Sequence, residues 1–216
     1  MKPKAVLFDF DYTLGDSTPG IYDSACYALN KMGHPTPTLE EVRVTIGMSL
    51  PKSYAYLTGD ADPQRGETYM WTFREKAEND GFMMDSTTLY PHSAALLHRL
   101  HEMGIKLGIV STKRRVTLVE IFTKFNLMDV LSILVGHGDV PEPKPHPGAL
   151  QLALSKLGVA PEDAVYVGDN IVDAMAAQAA NIPFIGVTTG TTAKEELSRY
   201  PHLCILNNLS EFPFEV

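Results

Sequence analysis

The feature that most constrains this chain is a short apolar run, Ala5–Phe8, that ends in two carboxylates, Asp9 and Asp11. The run predicts a buried strand, because it is too short and too apolar for an amphipathic surface helix. Residues i and i+2 of a strand point to the same side, so we expect both carboxylates to project together from its carboxyl end. Two like charges a few Å apart cost about 3 kcal/mol at an effective dielectric constant of 20. The sequence therefore predicts that positive charge from elsewhere in the chain meets this pair.

After residue 85, short apolar runs alternate with helical patterns, several of which end at a glycine, as at Gly104. The apolar runs predict strands at residues 106–111, 132–135, 164–167, 184–187 and 203–206. Strands that alternate with helices are typical of a parallel sheet that is apolar on both faces. The predicted fold class is therefore α/β, with a doubly wound, Rossmann-like parallel sheet.

Residues 16–84 interrupt this sheet between its first strand and the first crossover helix. They show helical patterns with clear start signals, among them a capping box that begins at Thr38. We predict a four-helix cap domain at residues 16–84, inserted into an α/β core of residues 1–15 and 85–216. The insert leaves the core next to Asp11, near the sheet edge where open α/β sheets bind ligands, so we expect it to act as a lid. The aromatic core expected for the insert consists of Tyr54, Tyr56, Tyr69, Trp71 and Phe73.

Composition and charge narrow the class of protein. The chain has 216 residues, of which 44% are hydrophobic and 20% charged, as in globular proteins. A net charge of −8 and the lack of a basic run argue against nucleic acid as a partner. No apolar stretch reaches the roughly 18 residues of a membrane span, which argues against a membrane partner. Since Cys26 and Cys204 also lack metal-type spacing, we expect a cytoplasmic protein with two free, buried thiols.

Four polar features follow predicted strand ends: the Asp9–Asp11 pair, Ser111–Thr112, Lys144, and the Asp169–Asp173 pair. Taken alone, each has an ordinary explanation as a turn acid, a helix cap, a solvated loop lysine or a helix-start acid. In a parallel sheet, however, the carboxyl ends of the strands meet at one edge, so all four features can converge on one crevice. Together the acids are too negative for one fixed cation, and oxygen ligands without a nearby His or Cys favour Mg²⁺ over zinc. The sequence therefore predicts a magnesium site at this edge.

A phosphate group suits the same crevice. We expect the Ser111 hydroxyl and nearby backbone N–H groups to meet phosphate oxygens at a helix N-terminus, while Lys144 adds positive charge from a proline-rich loop. A carboxylate that faces a neutralised phosphorus atom can attack in line and form an aspartyl-phosphate. A second carboxylate can protonate the leaving oxygen and then activate water.

At this point the residues resemble a known family. The segments DFDYTLGDS, VSTK, PEPKPHP and VGDNIVD resemble, in order, the four motifs of the haloacid dehalogenase-like phosphohydrolases. The insert is similar to the helical cap of the subfamily that includes phosphoglycolate phosphatases and β-phosphoglucomutases. The resemblance implies that Asp9 is the nucleophile and that Asp11 is the general acid/base, which also offers its backbone carbonyl to Mg²⁺.

The same resemblance implies the other site residues. The expected phosphate-binding residues are Ser111, Thr112 and Lys144. The expected metal-binding residues are Asp9, Asp11, Asp169 and Asp173, the last acting directly or through water.

Departures from the family pattern narrow the function. Haloacid dehalogenases and phosphonatases lack the second acid of the first motif, which this chain keeps as Asp11. β-Phosphoglucomutases carry basic residues around a cap loop where this chain has Ile46 and Leu50, which disfavours a mutase. Tyr12 stands where the family usually has glycine, so we expect a backbone there that does not require glycine. The candidates for substrate specificity are the cap residues Met48, Lys52 and Arg74.

We expect a Mg²⁺-dependent phosphatase that acts on a small phosphorylated metabolite. The alternatives within the enzyme class are an inorganic pyrophosphatase and a β-phosphoglucomutase-like phosphoryl transferase. Outside that class they are a receiver-like signalling module, which also uses strand-end acids, Ser/Thr and Lys, and a non-catalytic binding protein. The sequence leaves the oligomeric state open.

Overall fold

The computed structural model describes residues 2–78 and 81–213. The strands are β1 (Ala5–Phe8), β2 (Gly15–Asp16), β3 (Thr88–Leu89), β4 (Lys106–Arg114), β5 (Ile133–His137), β6 (Ala164–Gly168), β7 (Phe184–Val187) and β8 (Cys204–Leu206). The α-helices are α1 (Thr18–Lys31), α2 (Leu39–Thr45), α3 (Leu50–Thr58), α4 (Pro63–Ala77), α5 (Phe82–Asp85), α6 (Ser93–Glu102), α7 (Arg115–Lys124), α8 (Gly148–Leu157), α9 (Ile171–Ala180) and α10 (Lys194–Leu197).

A six-stranded parallel sheet confirms the predicted fold class, with the strand order β5-β4-β1-β6-β7-β8. Strand β1 lies inside the sheet, where Phe8 pairs with Ile109 of β4 and with Val167 of β6. All strands of this sheet run the same way, so their carboxyl ends share one edge. The residues that follow β1 therefore start in the middle of that edge.

The side chains of β1 alternate between the two faces of the sheet, so the strand contributes to an apolar core on each face. Val6 and Phe8 belong to one apolar cluster, which includes side chains of α6 and α7. Ala5 and Leu7 belong to a second cluster, which includes side chains of α8 and α9. Burial on both faces explains why β1 reads as a continuous apolar run.

Strand β4 is longer than the sequence predicts, and this corrects the expected position of Ser111. The strand continues to Arg114 with a shift of register against β5, and α7 begins only at Arg115. Ser111 and Thr112 therefore lie within the strand, and the Ser111 hydroxyl does not sit at a helix N-terminus. Gly136 of β5 explains the extension, since a Cβ there would lie 2.7 Å from the carbonyl oxygen of Lys113. Without a side chain, β5 approaches this segment closely enough to pair with it.

The chain divides into two compact units. The first comprises residues Met1–Asp16 and Leu89–Val216, and the second is Ser17–Thr88. The second unit ends four residues later than the predicted cap. Within it, the Thr87 hydroxyl donates to the Ser17 oxygen at 2.9 Å and to the Met83 carbonyl at 2.7 Å. The single hydroxyl hydrogen can bond to only one of these acceptors at a time. Because Thr87 contacts Ser17, the two ends of the unit are linked, and the unit extends past residue 84.

The second unit has four longer helices, α1 to α4, and the single turn α5 within its described part. Helix α2 begins with the predicted capping box, in which Thr38 and Glu41 exchange side-chain and backbone hydrogen bonds. The sequence pattern predicts a helix over residues 63–79, and residue 79 lies outside the described residues. In the structure this helix, α4, ends at Ala77. None of the helices in the described part of the chain is long and apolar enough to cross a membrane.

The aromatic core of this unit is smaller than predicted. Tyr54, Tyr69 and Phe73 are buried in its apolar cluster, whereas Tyr56 and Trp71 are 55% and 62% exposed. The reason is helical geometry: positions 69 and 73 are one turn apart on the same face of α4, while position 71 points away from it. Cys26 and Cys204 are free, as predicted, but only half-buried.

We predict that Gly108→Ala destabilises the sheet. A Cβ at Gly108 would lie 2.6 Å from a methyl carbon of Leu7 and 2.8 Å from one of Ile133, the residues that pair with it on the two neighbouring strands. We expect the free energy of unfolding to fall by about 1–3 kcal/mol, as is usual when a packed core is overfilled. Urea denaturation measures this change.

Gly148→Ala is the matched control. Gly148 opens α8, and a Cβ there would meet only the exposed imidazole of His146, which can turn away with the loss of one exposed hydrogen bond from the Gly148 backbone N–H. Alanine also favours the helix by up to about 1 kcal/mol over glycine. Equal stability losses in the two variants would contradict the assignment of Gly108 to a filled space between strands.

Candidate active site

Three buried carboxylates meet at the carboxyl edge of the sheet. Asp9 directly follows β1, and Asp169 directly follows β6. These two strands pair in parallel, with Phe8 opposite Val167 at their carboxyl ends. Asp173 lies in the first turn of α9. One oxygen of each of the three carboxylates lies within 4.8 Å of the other two. The structure thus brings together three of the four acids that the sequence predicts for this site.

The turn from β6 into α9 places the third carboxylate. The backbone N–H of Asn170 donates to Asp173 Oδ2 at 3.1 Å, which is half of a capping box. Gly168 makes room, because a Cβ there would lie only 2.5 Å from Asp173 Cβ. The side chain of Asp173 is therefore turned back over the end of β6, toward Asp9.

Lys144 is the cation of this cluster. Its ammonium nitrogen lies 2.6 Å from Asp173 Oδ1 and 3.1 Å from Asp9 Oδ1, and its side chain is 2% exposed. Burial alone would lower the pKa of Lys144, but attraction to Asp173 and Asp9 outweighs it and raises the pKa above the usual value. Lys144 is therefore positively charged at neutral pH, as the sequence prediction requires.

Tyr166 completes the environment of this lysine, and sequence reasoning missed it. Its hydroxyl oxygen lies 2.9 Å from Lys144 Nζ, 2.9 Å from Asp173 Oδ1 and 3.1 Å from the Val110 carbonyl oxygen. Burial raises the pKa of Tyr166 well above its usual value, and the charges of Asp173 and Asp9 act in the same direction. The hydroxyl stays protonated, so it accepts from Lys144 and donates to one of the two oxygens. The signal in the sequence was a tyrosine inside an apolar strand, since a buried hydroxyl needs a partner.

Asp11 is not one of the three clustered carboxylates, and the expectation that its side chain projects together with that of Asp9 stays a prediction. Its Oδ2 forms an ion pair with Lys113 Nζ at 2.9 Å, and both side chains are 9% exposed. Strand β1 ends at Phe8, so strand alternation no longer fixes residue 11. Instead, residues 10–15 form a turn in which backbone N–H groups converge on the Phe10 carbonyl. The role of the Asp11 backbone carbonyl as a metal ligand stays a prediction.

Lys113 is a second cation near the carboxylates, half-buried, whereas the sequence predicts only one fixed cation, Lys144. It stands two residues after Ser111 in the VSTK segment, so the lysine was visible in the sequence. The pairing of its ammonium group with Asp11 could not be read from the sequence, because that pairing depends on the extension of β4. The Ser111 oxygen accepts a 3.4 Å hydrogen bond from the Lys113 backbone N–H. Ser111 is buried and Thr112 half-buried, and their roles in phosphate binding stay predictions.

The backbone at Tyr12 adopts a conformation that favours glycine but does not require it. Its φ is +59°, in the left-handed region. That conformation costs an ordinary residue about 1–2 kcal/mol. The hydroxyl of Thr189 donates to the Tyr12 carbonyl oxygen. The next residue, Thr13, donates from its hydroxyl to Asp169 Oδ1 at 3.3 Å, so this turn leads directly to the carboxylate cluster.

Met48 and Lys52 belong to the second unit. Met48 is half-buried in the segment between α2 and α3, and Lys52 is exposed in the first turn of α3. Their predicted contribution to specificity stays a prediction.

The electrostatics of the cluster suit a divalent cation. With all three carboxylates ionised, the single charge of Lys144 would leave two negative charges, while Asp11 is matched by Lys113. Burial raises the pKa of Asp169 well above its usual value, and repulsion from Asp173 and Asp9 adds to this effect. Asp9 Oδ1 is buried without an aligned hydrogen bond in the described part of the chain, although it lies within ion-pair distance of Lys144. Hard oxygen ligands with an unbalanced negative charge fit a metal ion such as Mg²⁺ or Ca²⁺.

In metal-free protein, we predict that stability falls as pH rises above about 4, the usual pKa of an aspartate. Unfolded Asp169 loses its proton near pH 4, whereas its raised pKa keeps the proton bound in the native state. The native state then holds more protons than the unfolded state, so the free energy of unfolding falls with pH, by at most about 1.4 kcal/mol per pH unit for one proton. This decrease ends once the pH passes the native pKa. Urea denaturation in the presence of a chelator measures it.

Asp169→Asn provides the comparison, because it removes the titrating group and keeps its shape. We expect a smaller decrease of stability with pH in this variant than in the unaltered chain. Identical slopes in the two proteins would contradict the raised pKa of Asp169.

Known proteins of similar sequence indicate the same family as the arrangement of these residues. The profile of the family described as "Haloacid dehalogenase-like hydrolase" matches residues 6–187. A phosphoglycolate phosphatase of Yersinia pseudotuberculosis is 30% identical over 96% of this chain and 90% of its own. A pyrophosphatase, PpaX, of Anoxybacillus flavithermus is 31% identical over 98% of this chain and 95% of its own.

A solved structure extends the comparison to the fold. The crystal structure of a Bacteroides fragilis protein that is assigned to the haloacid dehalogenase-like hydrolases superimposes with a TM-score of 0.93. The two chains are 36% identical, and the match covers 97% of this chain and 99% of the other. The strand-end carboxylates, the buried lysine and these matches lead to one assignment: the chain belongs to the haloacid dehalogenase-like hydrolases.

Proposed function

We propose that this enzyme is a Mg²⁺-dependent phosphatase that hydrolyses a small phosphomonoester through an aspartyl-phosphate on Asp9. The observation that carries the proposal is the position of Asp9, whose carboxylate meets both a charged lysine and two further carboxylates at the end of the central strand. A nucleophilic carboxylate needs positive charge beside it so that an anionic phosphate can approach. Lys144 supplies part of that charge.

Asp9, Asp169 and Asp173 are the residues that would hold the metal. When bound, Mg²⁺ neutralises charge on the phosphate oxygens and so makes the phosphorus open to attack by an anion. In this scheme the phosphate oxygens also meet Lys144, Ser111 and Thr112.

The chemistry then proceeds in two displacements. A carboxylate oxygen of Asp9 forms a bond to phosphorus while the bond from phosphorus to the leaving oxygen breaks, and Asp11 gives its proton to that oxygen. Water next attacks the aspartyl-phosphate, the new bond to Asp9 breaks, and Asp11 takes a proton from the water. Inorganic phosphate leaves, and both acids return to their initial state. Lys113 Nζ, 2.9 Å from Asp11 Oδ2, would stabilise the carboxylate that Asp11 becomes after it gives up its proton.

For the substrate, we favour a phosphomonoester such as phosphoglycolate, because curated relatives with that activity in their names match along nearly the whole chain. Inorganic pyrophosphate is the second candidate, since the Anoxybacillus relative named a pyrophosphatase matches equally well. The second unit would act as the lid, with Met48 and Lys52 contributing to specificity.

A panel of phosphorylated compounds, assayed with Mg²⁺ and with a chelator, tests the proposal. We expect 2-phosphoglycolate or another phosphomonoester to give the highest kcat/KM, and we expect activity to disappear without metal. A preference for pyrophosphate would establish the second candidate. Absence of phosphate release from every compound would overturn the assignment as a phosphatase.

We predict that Asp9→Asn lowers kcat by at least about 1,000-fold, because an amide oxygen cannot form the acyl-phosphate. Thermal unfolding should show that the variant remains folded. The control is Asp163→Asn, which removes only the exposed ion pair with Lys4 and should keep full activity. Near-normal turnover by the Asp9 variant would exclude the proposed nucleophile.

A further inference from the structure

None of the four sequence motifs includes the loop after β7, residues 188–192. This loop nevertheless contacts Asp169, one of the three clustered carboxylates. We propose that Thr189 and Gly190 of this loop are positioning residues that hold Asp169 in the orientation needed to bind the metal. The inference rests on the proposed Mg²⁺ dependence and goes beyond it, since neither residue is part of the proposed ligand set.

Gly190 lies directly against the Asp169 carboxylate. A Cβ built on Gly190 would overlap Asp169 Oδ2, and it would lie 2.8 Å from Asp169 Cγ and 3.1 Å from Tyr12 Cβ. The φ of Gly190 is outside the left-handed range, so other residues could adopt its backbone conformation. Glycine is required here for space, because any side chain would have to displace Asp169.

The opposite oxygen of Asp169 has its own contact. Thr13 donates from its hydroxyl to Asp169 Oδ1 at 3.3 Å, while Gly190 faces Oδ2. The carboxylate is therefore held between two separate segments and cannot rotate freely. Contacts of this kind outside the ligand set orient metal ligands and typically change metal affinity 10- to 100-fold when lost.

The loop itself is fixed on both sides. Thr188 donates from its backbone N–H to the Leu206 carbonyl at 3.0 Å, which ties the loop to β8. The Thr189 hydroxyl donates to the Tyr12 carbonyl oxygen, which ties the loop to the turn that carries Thr13. Because that hydroxyl joins the two segments that enclose Asp169, it keeps the gap between them at the width of one carboxylate.

Mg²⁺ titration of the metal-free protein by isothermal calorimetry tests the inference without any substrate. We expect Gly190→Ala to weaken Mg²⁺ binding at least 10-fold. We expect Thr189→Val, which removes the hydroxyl and keeps the shape, to weaken it several-fold. Thr189→Ser restores the hydroxyl and should restore the affinity, and Thr191→Ala, at an exposed position of the same loop, should leave it unchanged.

Two further measurements separate positioning from a general loss of structure. We expect the melting temperature of metal-free Thr189→Val to stay near that of the unaltered chain, and we expect excess Mg²⁺ to recover most of the kcat of both variants. Should Gly190→Ala not fold, the comparison of valine with serine at position 189 decides the question.

The outcomes distinguish the two proposals. If the unaltered protein binds Mg²⁺ and the Gly190 and Thr189 variants bind it equally well, the positioning role is overturned and the proposed function stands. If the unaltered protein binds no Mg²⁺, the proposed metal dependence is overturned, and the inference falls with it.

Discussion

The interaction on which this site depends is the contact of one buried ammonium group, that of Lys144, with the carboxylates of Asp9 and Asp173. Burial of charges is costly, and it is tolerated only where each charge has close partners and further hydrogen bonds. Tyr166 supplies such a bond to the lysine and contacts Asp173 as well. The sheet core and the carboxylate cluster are thus joined by one residue, because Tyr166 is at the same time part of an apolar cluster.

This arrangement balances the charge of the site only in part. Lys144 compensates one of three carboxylates, and Lys113 is already engaged with Asp11. A protein selected for stability alone would not crowd three acids in a buried place, since repulsion and burial both oppose their ionisation. The remaining negative charge is what the proposed Mg²⁺ would balance. The electrostatic cost to the fold and the proposed binding of a cation are consequences of the same carboxylates.

The sequence predicted those parts of the site that depend on strand order alone. Asp9 and Asp169 follow parallel strands, so their meeting at one edge is a property of the topology. The Asp11–Lys113 pair could not be predicted in this way, because it requires the turn after β1 and the extension of β4. That extension depends in turn on the close approach of Gly136, a contact between β4 and β5 that no local sequence pattern encodes.

Tyr12 and Gly190 show that contacts between segments, rather than single-residue preference, decide which residue stands at each position. Tyrosine replaces the family's usual glycine at position 12, and the backbone there has a left-handed φ all the same. Local preference is overruled because neighbouring segments hold the turn, among them the Thr189 hydroxyl on the Tyr12 carbonyl. Gly190, conversely, has a backbone that other residues could adopt and is constrained by the side chains beside it, above all the Asp169 carboxylate. At both positions the choice of residue follows from contacts with another segment: Thr189 lies 177 residues from Tyr12 in the chain, and Asp169 follows β6, the strand that pairs with β7.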